Sequence, residues 1–418
     1  DLPMNIQRGE VENPVYDMKF EDKHTDEATA QKAADTILEA LKQAKRPVIM
    51  LGHGVDSEVS QQELIHFAQK RQIPIITSVL AKSVLGYDHS LNFGCIGGAY
   101  GHRYANMIAN AKSDLLLCFG ISLCTRQIGT KVHEFAKGAK IIRVDIDQYN
   151  LQRDIHENGE NEVKLQAETG AVINCLARAH CPEMDGLSDW LNVCTEIKEN
   201  LQAVDDNTPE RYPNRMIADL SDMLEDTSAV AVDVGQHMVW SYQSFKNREG
   251  QKLLFSGGHG AMGYGLPAAI GAYYATGKPT ACICGDGALQ MNIQELEWVK
   301  RENLPIKIMV MNNEALGMIR HLQRDYFDCL FAGTTDGCGF ASCDFSEVAK
   351  AYGIPALRMH CDAVREQAPE FLEGEGPKLL EVMLEHGTFA YPKTCLGEPI
   401  HNQQPYAPKN VYDRLMEL

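Results

Sequence analysis

Two short motifs, Gly285-Asp286-Gly287 and Asn312-Asn313, constrain the fold of this sequence more than any other feature. Each motif directly follows an apolar run of strand length, residues 280–284 before the first and residues 306–311 before the second. Between the motifs, apolar residues recur at helical spacing over residues 292–303, and a Leu-Pro pair ends this pattern. The segment is therefore predicted to be a strand, a loop, a helix and a second strand, with both strands parallel and buried.

Both motifs lie at the carboxyl end of a predicted strand, which is where parallel sheets bind their ligands. Mg²⁺ prefers oxygen ligands and is commonly held by one or two carboxylates together with a substrate phosphate. Asp286 offers an anionic oxygen, Asn313 offers an amide oxygen without further charge, and the flanking glycines let the backbone approach a diphosphate closely. The motifs therefore predict a Mg²⁺-diphosphate site. The alternative is an Asp-Gly turn and a polar strand end in an ordinary α/β domain.

The spacing of the two motifs resembles the thiamine-diphosphate motif, and three further segments resemble the acetolactate synthase family of thiamine-diphosphate enzymes. These segments are residues 233–237, 256–271 and 316–319. The resemblance implies an α/β fold with two doubly wound parallel-sheet domains, the central domain and the diphosphate-binding domain of this enzyme fold. It also implies decarboxylation of a 2-oxo acid such as pyruvate, with carboligation to a carbonyl acceptor. Thiamine diphosphate and Mg²⁺ would be the cofactors, in a homodimer or homotetramer.

The resemblance also assigns roles to individual residues. Mg²⁺ would be bound by Asp286, Asn313 and the backbone carbonyl of Ala315. Met262 would be an apolar wedge that bends the cofactor, and His237 would lie near the diphosphate; the alternatives are a core methionine and a histidine of a surface loop. The whole predicted cofactor-binding set, metal ligands included, is Val234, Gly235, Gln236, His237, Gly260, Met262, Gly285, Asp286, Gly287, Ala288, Asn313, Ala315, Leu316, Gly317 and Met318.

The predicted substrate pocket consists of Met318, Ile319 and Leu322. Biosynthetic acetolactate synthases carry a tryptophan where this sequence has Leu322, and the tail after Tyr391 also departs from that subfamily. The acceptor pocket is therefore expected to differ from theirs. An aldehyde, a keto-sugar and a second oxo acid all stay open as acceptors.

The central domain is a possible nucleotide-binding site by resemblance. Some members of the family bind FAD there, others bind ADP and others bind neither. The glycine-rich residues 94–101 and Arg126 lie where such a nucleotide would bind. Ser122 replaces the family's first arginine in this loop, which argues against FAD. A tight turn would need the same glycines, so the sequence leaves FAD, ADP and a simple turn without a nucleotide open.

Segments with strand patterns alternate with segments of helical spacing along most of the sequence, which predicts parallel sheets with helices on both faces. Strands are predicted at residues 47–52, 74–77, 114–119, 140–147, 229–234, 280–284, 306–311 and 379–383, and Ser57 is predicted to cap the helix that follows the first of them. The predicted divisions are an exit segment of a pyrimidine-binding domain with a linker at 1–26, the central domain at 27–185, a linker at 186–211, and the diphosphate-binding domain with a tail at 212–418. The sequence starts at Asp1, and we expect the rest of the pyrimidine-binding domain, which carries the family's activating glutamate, to be missing from it. No catalytic residue is therefore predicted, and this chain alone is expected to be inactive.

The amino-acid composition argues against some partners and compartments. A net charge of −18 argues against a nucleic-acid or anionic-membrane partner. No uncharged apolar stretch reaches the roughly 18 residues that a membrane-spanning helix needs. The thirteen cysteines are scattered without a C-x-x-C pair, so we expect reduced thiols in a cytoplasmic protein.

Two other functions stay open on the sequence alone. One is a non-catalytic or incomplete subunit, or a degenerate paralogue, that binds thiamine diphosphate without turnover. The other is a nicotinamide dehydrogenase, which needs a G-x-G-x-x-G loop at the start of a helix. Residues 51–57 hold only the first half of that pattern, which disfavours a dehydrogenase.

Overall fold

The computed structural model describes residues 4–7, 9–10, 24–179, 187–385 and 387–418. Over these residues the chain forms two six-stranded sheets in which neighbouring strands are parallel. Each sheet has a cluster of buried apolar side chains on both of its faces. The predicted fold of two parallel-sheet α/β units is therefore confirmed. No helix in this part of the chain is long and apolar enough to cross a membrane.

The first sheet contains the strands β1 (Pro47–Leu51), β2 (Ile75–Thr77), β3 (Asn92–Cys95), β4 (Leu115–Phe119), β5 (Lys140–Asp145) and β6 (Glu162–Gln166). Their order across the sheet is β3-β2-β1-β4-β5-β6. The helices of this half are α1 (Met4–Gln7), α2 (Glu27–Gln43), α3 (Glu58–Gln69), α4 (Arg103–Met107), α5 (Thr125–Ile128), α6 (Gln148–Gln152), α7 (Thr169–Arg178) and α8 (Leu187–Asn200). A π-helix continues α4 over Ile108–Lys112, and 3-10 turns span Val79–Val84, Val132–Glu134 and Glu157–Gly159.

Capping residues and apolar spacing explain where the first long helices form. The Asp26 side chain accepts a hydrogen bond from the Thr29 backbone N–H at the start of α2. The Ser57 side chain does the same for the Ser60 N–H at the start of α3, as the sequence predicted. One face of α2 packs into the core because its apolar residues recur every three or four positions. These buried residues are Ala30, Ala33, Ala34, Ile37 and Leu41.

The second sheet contains the strands β7 (Ala229–Val232), β8 (Lys252–Phe255), β9 (Thr280–Gly285), β10 (Ile306–Asn312), β11 (Ala356–His360) and β12 (Lys378–Met383). Their order is β11-β12-β10-β9-β7-β8. The helices of this half are α9 (Pro213–Met223), α10 (Gln236–Ser244), α11 (Gly265–Thr276), α12 (Asp286–Gln290), α13 (Glu295–Arg301), α14 (Gly317–Tyr326), α15 (Phe345–Ala351) and α16 (Val364–Leu372), with a 3-10 turn at Cys361–Ala363. A short hairpin of β13 (Lys393–Thr394) and β14 (Gln403–Gln404) and the helix α17 (Lys409–Glu417) follow.

The register between β9 and β10 brings the two sequence motifs together. Met311 is paired with Gly285 across these parallel strands, so Asp286 and Asn312 follow directly at adjacent strand ends. All residues of β9 are buried, and only one residue of β10 is not. The two central strands therefore hold both motifs at the carboxyl edge of the sheet, where the sequence placed them.

The helix predicted over residues 292–303 is shorter in the structure, because α13 begins only at Glu295. A separate five-residue helix, α12, begins at Asp286, where the sequence predicted a loop. Gly285 has extended backbone angles, and the Asp286 carboxylate accepts a hydrogen bond from the Gly287 N–H. The motif thus starts a helix at once instead of forming an open loop.

Two segments join the halves of the chain. The helix α8 lies within the predicted linker 186–211, and its Trp190 indole N–H donates to the Pro47 carbonyl at 3.0 Å in the core of the first half. The tail after β12 also returns to the first half. Asn106 donates to the Ile400 carbonyl at 2.8 Å, and Gln403 donates to the Gly101 carbonyl at 2.9 Å. Both the predicted linker and the predicted tail therefore contain structure that packs on the first sheet.

Candidate functional site

The Asp286 carboxylate connects the ends of β9 and β10. Its Oδ1 accepts a hydrogen bond from the Gly287 N–H at 2.8 Å, and its Oδ2 accepts one from the Ala315 N–H at 3.1 Å. Asp286 is only 4% exposed, and it takes part in none of the ion pairs among the described residues. It is therefore a buried carboxylate held in place by backbone N–H groups alone.

Burial raises the pKa of Asp286 to about 6, although the hydrogen bonds from Gly287 and Ala315 act in the opposite direction. The nearby Glu314 carboxylate raises the pKa of Asp286 further. A carboxylate that is desolvated without a cationic partner is costly in its ionised form. A bound divalent cation would remove that cost, so the electrostatics of Asp286 fit a metal ligand.

The second motif forms a turn that leads the chain back to Asp286. The Asn312 Oδ1 accepts a hydrogen bond from the Glu314 N–H at 2.9 Å, and Glu314 has a φ of +52°. The Asn313 Nδ2 donates to the Gln236 Oε1 at 2.9 Å. This bond engages the amide nitrogen of Asn313, so its oxygen, the atom that Mg²⁺ prefers, is the one left for a cation.

The glycines of the first motif are required by close packing. A β-carbon built on Gly287 would lie 2.6 Å from Cδ2 of Leu316 and 3.2 Å from Cε of Met262. A β-carbon built on Gly285 would lie 3.0 Å from the His237 ring. A larger residue at either position would collide with these side chains, and the predicted close approach of a diphosphate to the glycines stays a prediction.

His237 is buried at the start of α10, so the alternative of a surface-loop histidine is wrong. Burial lowers the pKa of His237 to about 3, and a hydrogen bond to the backbone of Asp233 acts against this shift. Its Nε2 has no hydrogen-bond partner among the described residues. His237 is therefore a neutral imidazole with one buried ring nitrogen that has no hydrogen-bond partner among the described residues.

Asp233 is a functional candidate that sequence reasoning did not assign. Its carboxylate accepts hydrogen bonds from the N–H groups of Gly263 at 3.0 Å and Gly265 at 2.6 Å. These bonds fix the segment that carries Met262. The bonding residues are about 30 positions apart in sequence, so only the folded chain reveals the contact.

The residues predicted to bind the cofactor line one cavity of about 240 Å³ at the carboxyl edge of the second sheet. All of the predicted cofactor-binding residues belong to its lining, and Ile319 of the predicted substrate pocket joins them. Trp240 and Met311 also line it and were not predicted. Trp240 lies one helical turn after Gln236, and Met311 directly precedes the second motif, so helical spacing and adjacency were the available signals. The full lining is Val234, Gly235, Gln236, His237, Trp240, Gly260, Met262, Gly285, Asp286, Gly287, Ala288, Met311, Asn313, Ala315, Leu316, Gly317, Met318 and Ile319.

Leu322 is the predicted substrate-pocket residue that does not line this cavity. It lies one turn of α14 after Ile319, and both side chains are 49% exposed. Residues three apart on a helix share a face, so Leu322 extends the apolar side of the cavity outward. Its predicted contact with substrate stays a prediction.

The glycine-rich residues 94–101 form a tight turn. The Gly101 N–H donates to the Gly97 carbonyl at 3.2 Å, and a β-carbon on Gly97 would lie 2.6 Å from the Gly101 nitrogen. Arg126 donates from Nη1 to the carbonyls of Gly257 at 3.2 Å and Gly258 at 3.0 Å. Packing within the protein thus accounts for these glycines and for Arg126, and the choice among FAD, ADP and no nucleotide stays open.

A larger cavity of about 410 Å³ lies between the first half of the chain and the tail. Gly129, Lys131, Lys393 and His401 are among its lining residues. None of the predicted cofactor or substrate residues lines it. The cavity of about 240 Å³ is therefore the candidate active site, because it holds the buried Asp286 carboxylate, which makes no ion pair among the described residues.

Comparisons with known proteins agree with this geometry. Residues 34–176 match the family described as "Thiamine pyrophosphate enzyme, central domain", and residues 233–382 match "Thiamine pyrophosphate enzyme, C-terminal TPP binding domain".

The acetolactate synthase isozyme 1 large subunit of Escherichia coli (strain K12) is 31% identical over 419 residues, which cover 95% of this chain and 68% of the relative. Acetolactate synthase 1, chloroplastic, of Nicotiana tabacum is 32% identical over 380 residues, covering 87% of this chain and 55% of the relative. The corresponding protein of Oryza sativa subsp. japonica is 30% identical over 417 residues, covering 95% and 62%. The chain therefore spans 55% to 68% of the length of these relatives.

Proposed function

Since the chain belongs to the thiamine pyrophosphate enzymes, with acetolactate synthases among its relatives, we propose that it provides the diphosphate- and metal-binding part of such an enzyme. The proposed reaction is the Mg²⁺-dependent decarboxylation of a 2-oxo acid, with pyruvate the first candidate, and transfer of the product to a carbonyl acceptor. The observation that carries the proposal is the buried, unpaired Asp286 carboxylate, which lies with Asn313 and Ala315 in one cavity.

Three oxygen atoms would hold Mg²⁺ in this proposal. They belong to the Asp286 carboxylate, the Asn313 amide and the Ala315 backbone carbonyl. The hydrogen bond from the Ala315 N–H to Asp286 already sets two of these residues beside each other. One carboxylate with neutral oxygen donors is typical of Mg²⁺ sites that also use substrate phosphates.

The diphosphate would be bound by backbone N–H groups at the start of α12. Gly287 and Ala288 lie in its first turn and line the cavity. N–H groups of a first helical turn lack backbone partners within the helix and attract anions. The Gly287 N–H, which donates to the Asp286 carboxylate in this structure, would exchange that bond for one to the diphosphate. The neutral His237 would add a polar contact through Nε2 without adding charge.

Apolar side chains line the rest of the cavity and would exclude water from the reacting atoms. They include Met262, Trp240, Met311 and Leu316. Thiamine diphosphate, when bound, supplies the electron sink that decarboxylation of a 2-oxo acid needs. The role of this chain is then to bind and orient that cofactor and to keep the site dry.

Binding and turnover together test the proposal in the full-length gene product. Calorimetry should show that thiamine diphosphate binds tightly with Mg²⁺ and much more weakly when EDTA removes the metal. CO₂ release should follow when pyruvate is added to the loaded protein. Metal-dependent binding without CO₂ release from any of a panel of 2-oxo acids would favour the binding-only subunit, and absence of binding would contradict both functions.

A further inference from the structure

We propose that Glu381 is a positioning residue for the metal loop, which we define as residues 312–315. This inference rests on the proposed function, because the metal loop would supply two of the three Mg²⁺ ligands. Glu381 belongs to β12, the strand beside β10, and its side chain is fully buried. A buried carboxylate in a central strand is costly unless hydrogen bonds and charge satisfy it, so its presence needs a structural reason.

The first carboxylate oxygen of Glu381 holds the start of the metal loop. The Asn312 Nδ2 donates to Glu381 Oε1 at 2.7 Å, and Asn312 is itself completely buried. This bond fixes the orientation of the Asn312 amide. The amide oxygen then accepts the Glu314 N–H at 2.9 Å.

The orientation of Asn312 matters because the next turn has an uncommon backbone conformation. Glu314 has a φ of +52°, a backbone conformation that residues other than glycine rarely adopt without local support. The bond from the Glu314 N–H to Asn312 supplies such support. The turn it closes presents Asn313 to the cavity and returns the Ala315 N–H to Asp286.

The second carboxylate oxygen of Glu381 holds the far side of the site. Its Oε2 accepts the Ser346 N–H at 3.0 Å, in the first turn of α15, and lies 3.8 Å from Nε of Arg358. The segment that leads to α15 also contacts the metal loop, because the Ser342 hydroxyl donates to Asn312 Oδ1 at 3.3 Å. Glu381 therefore joins the metal loop to the segment that packs against it.

Only a group with two acceptor atoms satisfies this arrangement. The partners on both sides, Asn312 Nδ2 and the Ser346 backbone nitrogen, are hydrogen-bond donors. A glutamine at position 381 has one acceptor and one donor, so its amide nitrogen would face an N–H group. Glu381→Gln should therefore release one of the two segments while changing the side-chain volume very little.

The experiment compares variants of the full-length gene product by calorimetry of Mg²⁺-dependent thiamine diphosphate binding, with thermal unfolding measured in parallel. Glu381→Gln should weaken Mg²⁺ binding about tenfold or more, as is usual when a residue that supports metal ligands is lost. The double variant Glu381→Gln with Asn312→Asp exchanges amide and carboxylate, so every hydrogen bond can form again. It should recover Mg²⁺ affinity to within about threefold of wild type.

Glu385→Gln is the matched control, because Glu385 is exposed and pairs with Arg211 at 3.5 Å. It should leave Mg²⁺ binding unchanged. Wild-type affinity in Glu381→Gln, even with a lower melting temperature, would overturn the inference, and so would a folded double variant as weak as the single one. If Glu381→Gln does not fold, the affinity of the double variant decides. Failure of wild type to bind Mg²⁺ and thiamine diphosphate would instead overturn the proposed function and this inference together.

Discussion

Asp286→Asn should remove a pH dependence of stability that the metal-free wild type shows. Burial raises the pKa of Asp286 from 3.8 to about 6, so between these pH values the folded protein binds a proton that the unfolded chain has lost. Stability therefore falls as the pH rises through this window, and the loss is complete at pH 7. The shift corresponds to about 3 kcal/mol.

The assay is denaturant unfolding of the full-length gene product at several pH values between 4 and 7, in EDTA. Relative to Asp286→Asn, wild type should lose about 2 kcal/mol of unfolding free energy across this range, because part of the total is already lost at pH 4. Burial also raises the pKa of Asp233 and Glu381, but both residues remain in the two proteins and their effects cancel. The asparagine variant also loses hydrogen bonds, which lowers its unfolding free energy by the same amount at every pH. The slope of its stability against pH is therefore unaffected by this loss.

Saturating Mg²⁺ and thiamine diphosphate provide the internal control. A cation beside the ionised carboxylate lowers its pKa, so the excess pH dependence of wild type should shrink when both are present. Parallel wild-type and variant curves in EDTA would refute the reasoning, because they would show that Asp286 does not carry an uncompensated buried charge.

Three further predictions concern the substrate side, the cofactor and the fold. Leu322→Trp should raise the preference for 2-oxobutanoate over pyruvate as acceptor, because the added aromatic wall can contact the extra methylene, which is worth roughly 1–3 kcal/mol. Competition between the two acceptors measures this preference, and an unchanged ratio would place Leu322 outside the acceptor site. Met262→Ala should lower turnover about tenfold or more, because the cofactor would no longer be held in its bent conformation. Mg²⁺ affinity should hardly change, and equal losses of turnover and of Mg²⁺ affinity would contradict the wedge role. Trp190→Ala should cost about 3–5 kcal/mol of unfolding free energy, measured with denaturant, and a cost below about 1 kcal/mol would mean that α8 does not pack on the first sheet as described.

The central strands were predictable from the sequence, and the edge strands were not. Residues 47–52, 114–119, 280–284 and 306–311 are apolar runs because sheet neighbours and helices bury them on all sides. The strands without a prediction, β3, β6, β8 and β11, are the four outermost strands of the two sheets. An edge strand such as β6, with the sequence EVKLQ, keeps polar and partly exposed positions and lacks that continuous pattern.

The candidate site was predicted where its residues are close in sequence and missed where distant segments meet. The two motifs and their glycines were placed correctly because strand ends in a parallel sheet share one edge. Asp233 and Glu381 were not assigned, since their roles depend on N–H and amide groups about 30 and 70 residues away. The burial of His237 also depends on packing, which the surrounding sequence does not reveal.

The most direct test of the central claim is a crystal structure of the full-length gene product with thiamine diphosphate and Mg²⁺. The account predicts one ion within about 2.1 Å of an Asp286 carboxylate oxygen, the Asn313 amide oxygen and the Ala315 carbonyl oxygen. It also predicts diphosphate oxygens within hydrogen-bond distance of the Gly287 and Ala288 N–H groups. A diphosphate bound elsewhere, or an ion without Asp286 among its ligands, would contradict the account.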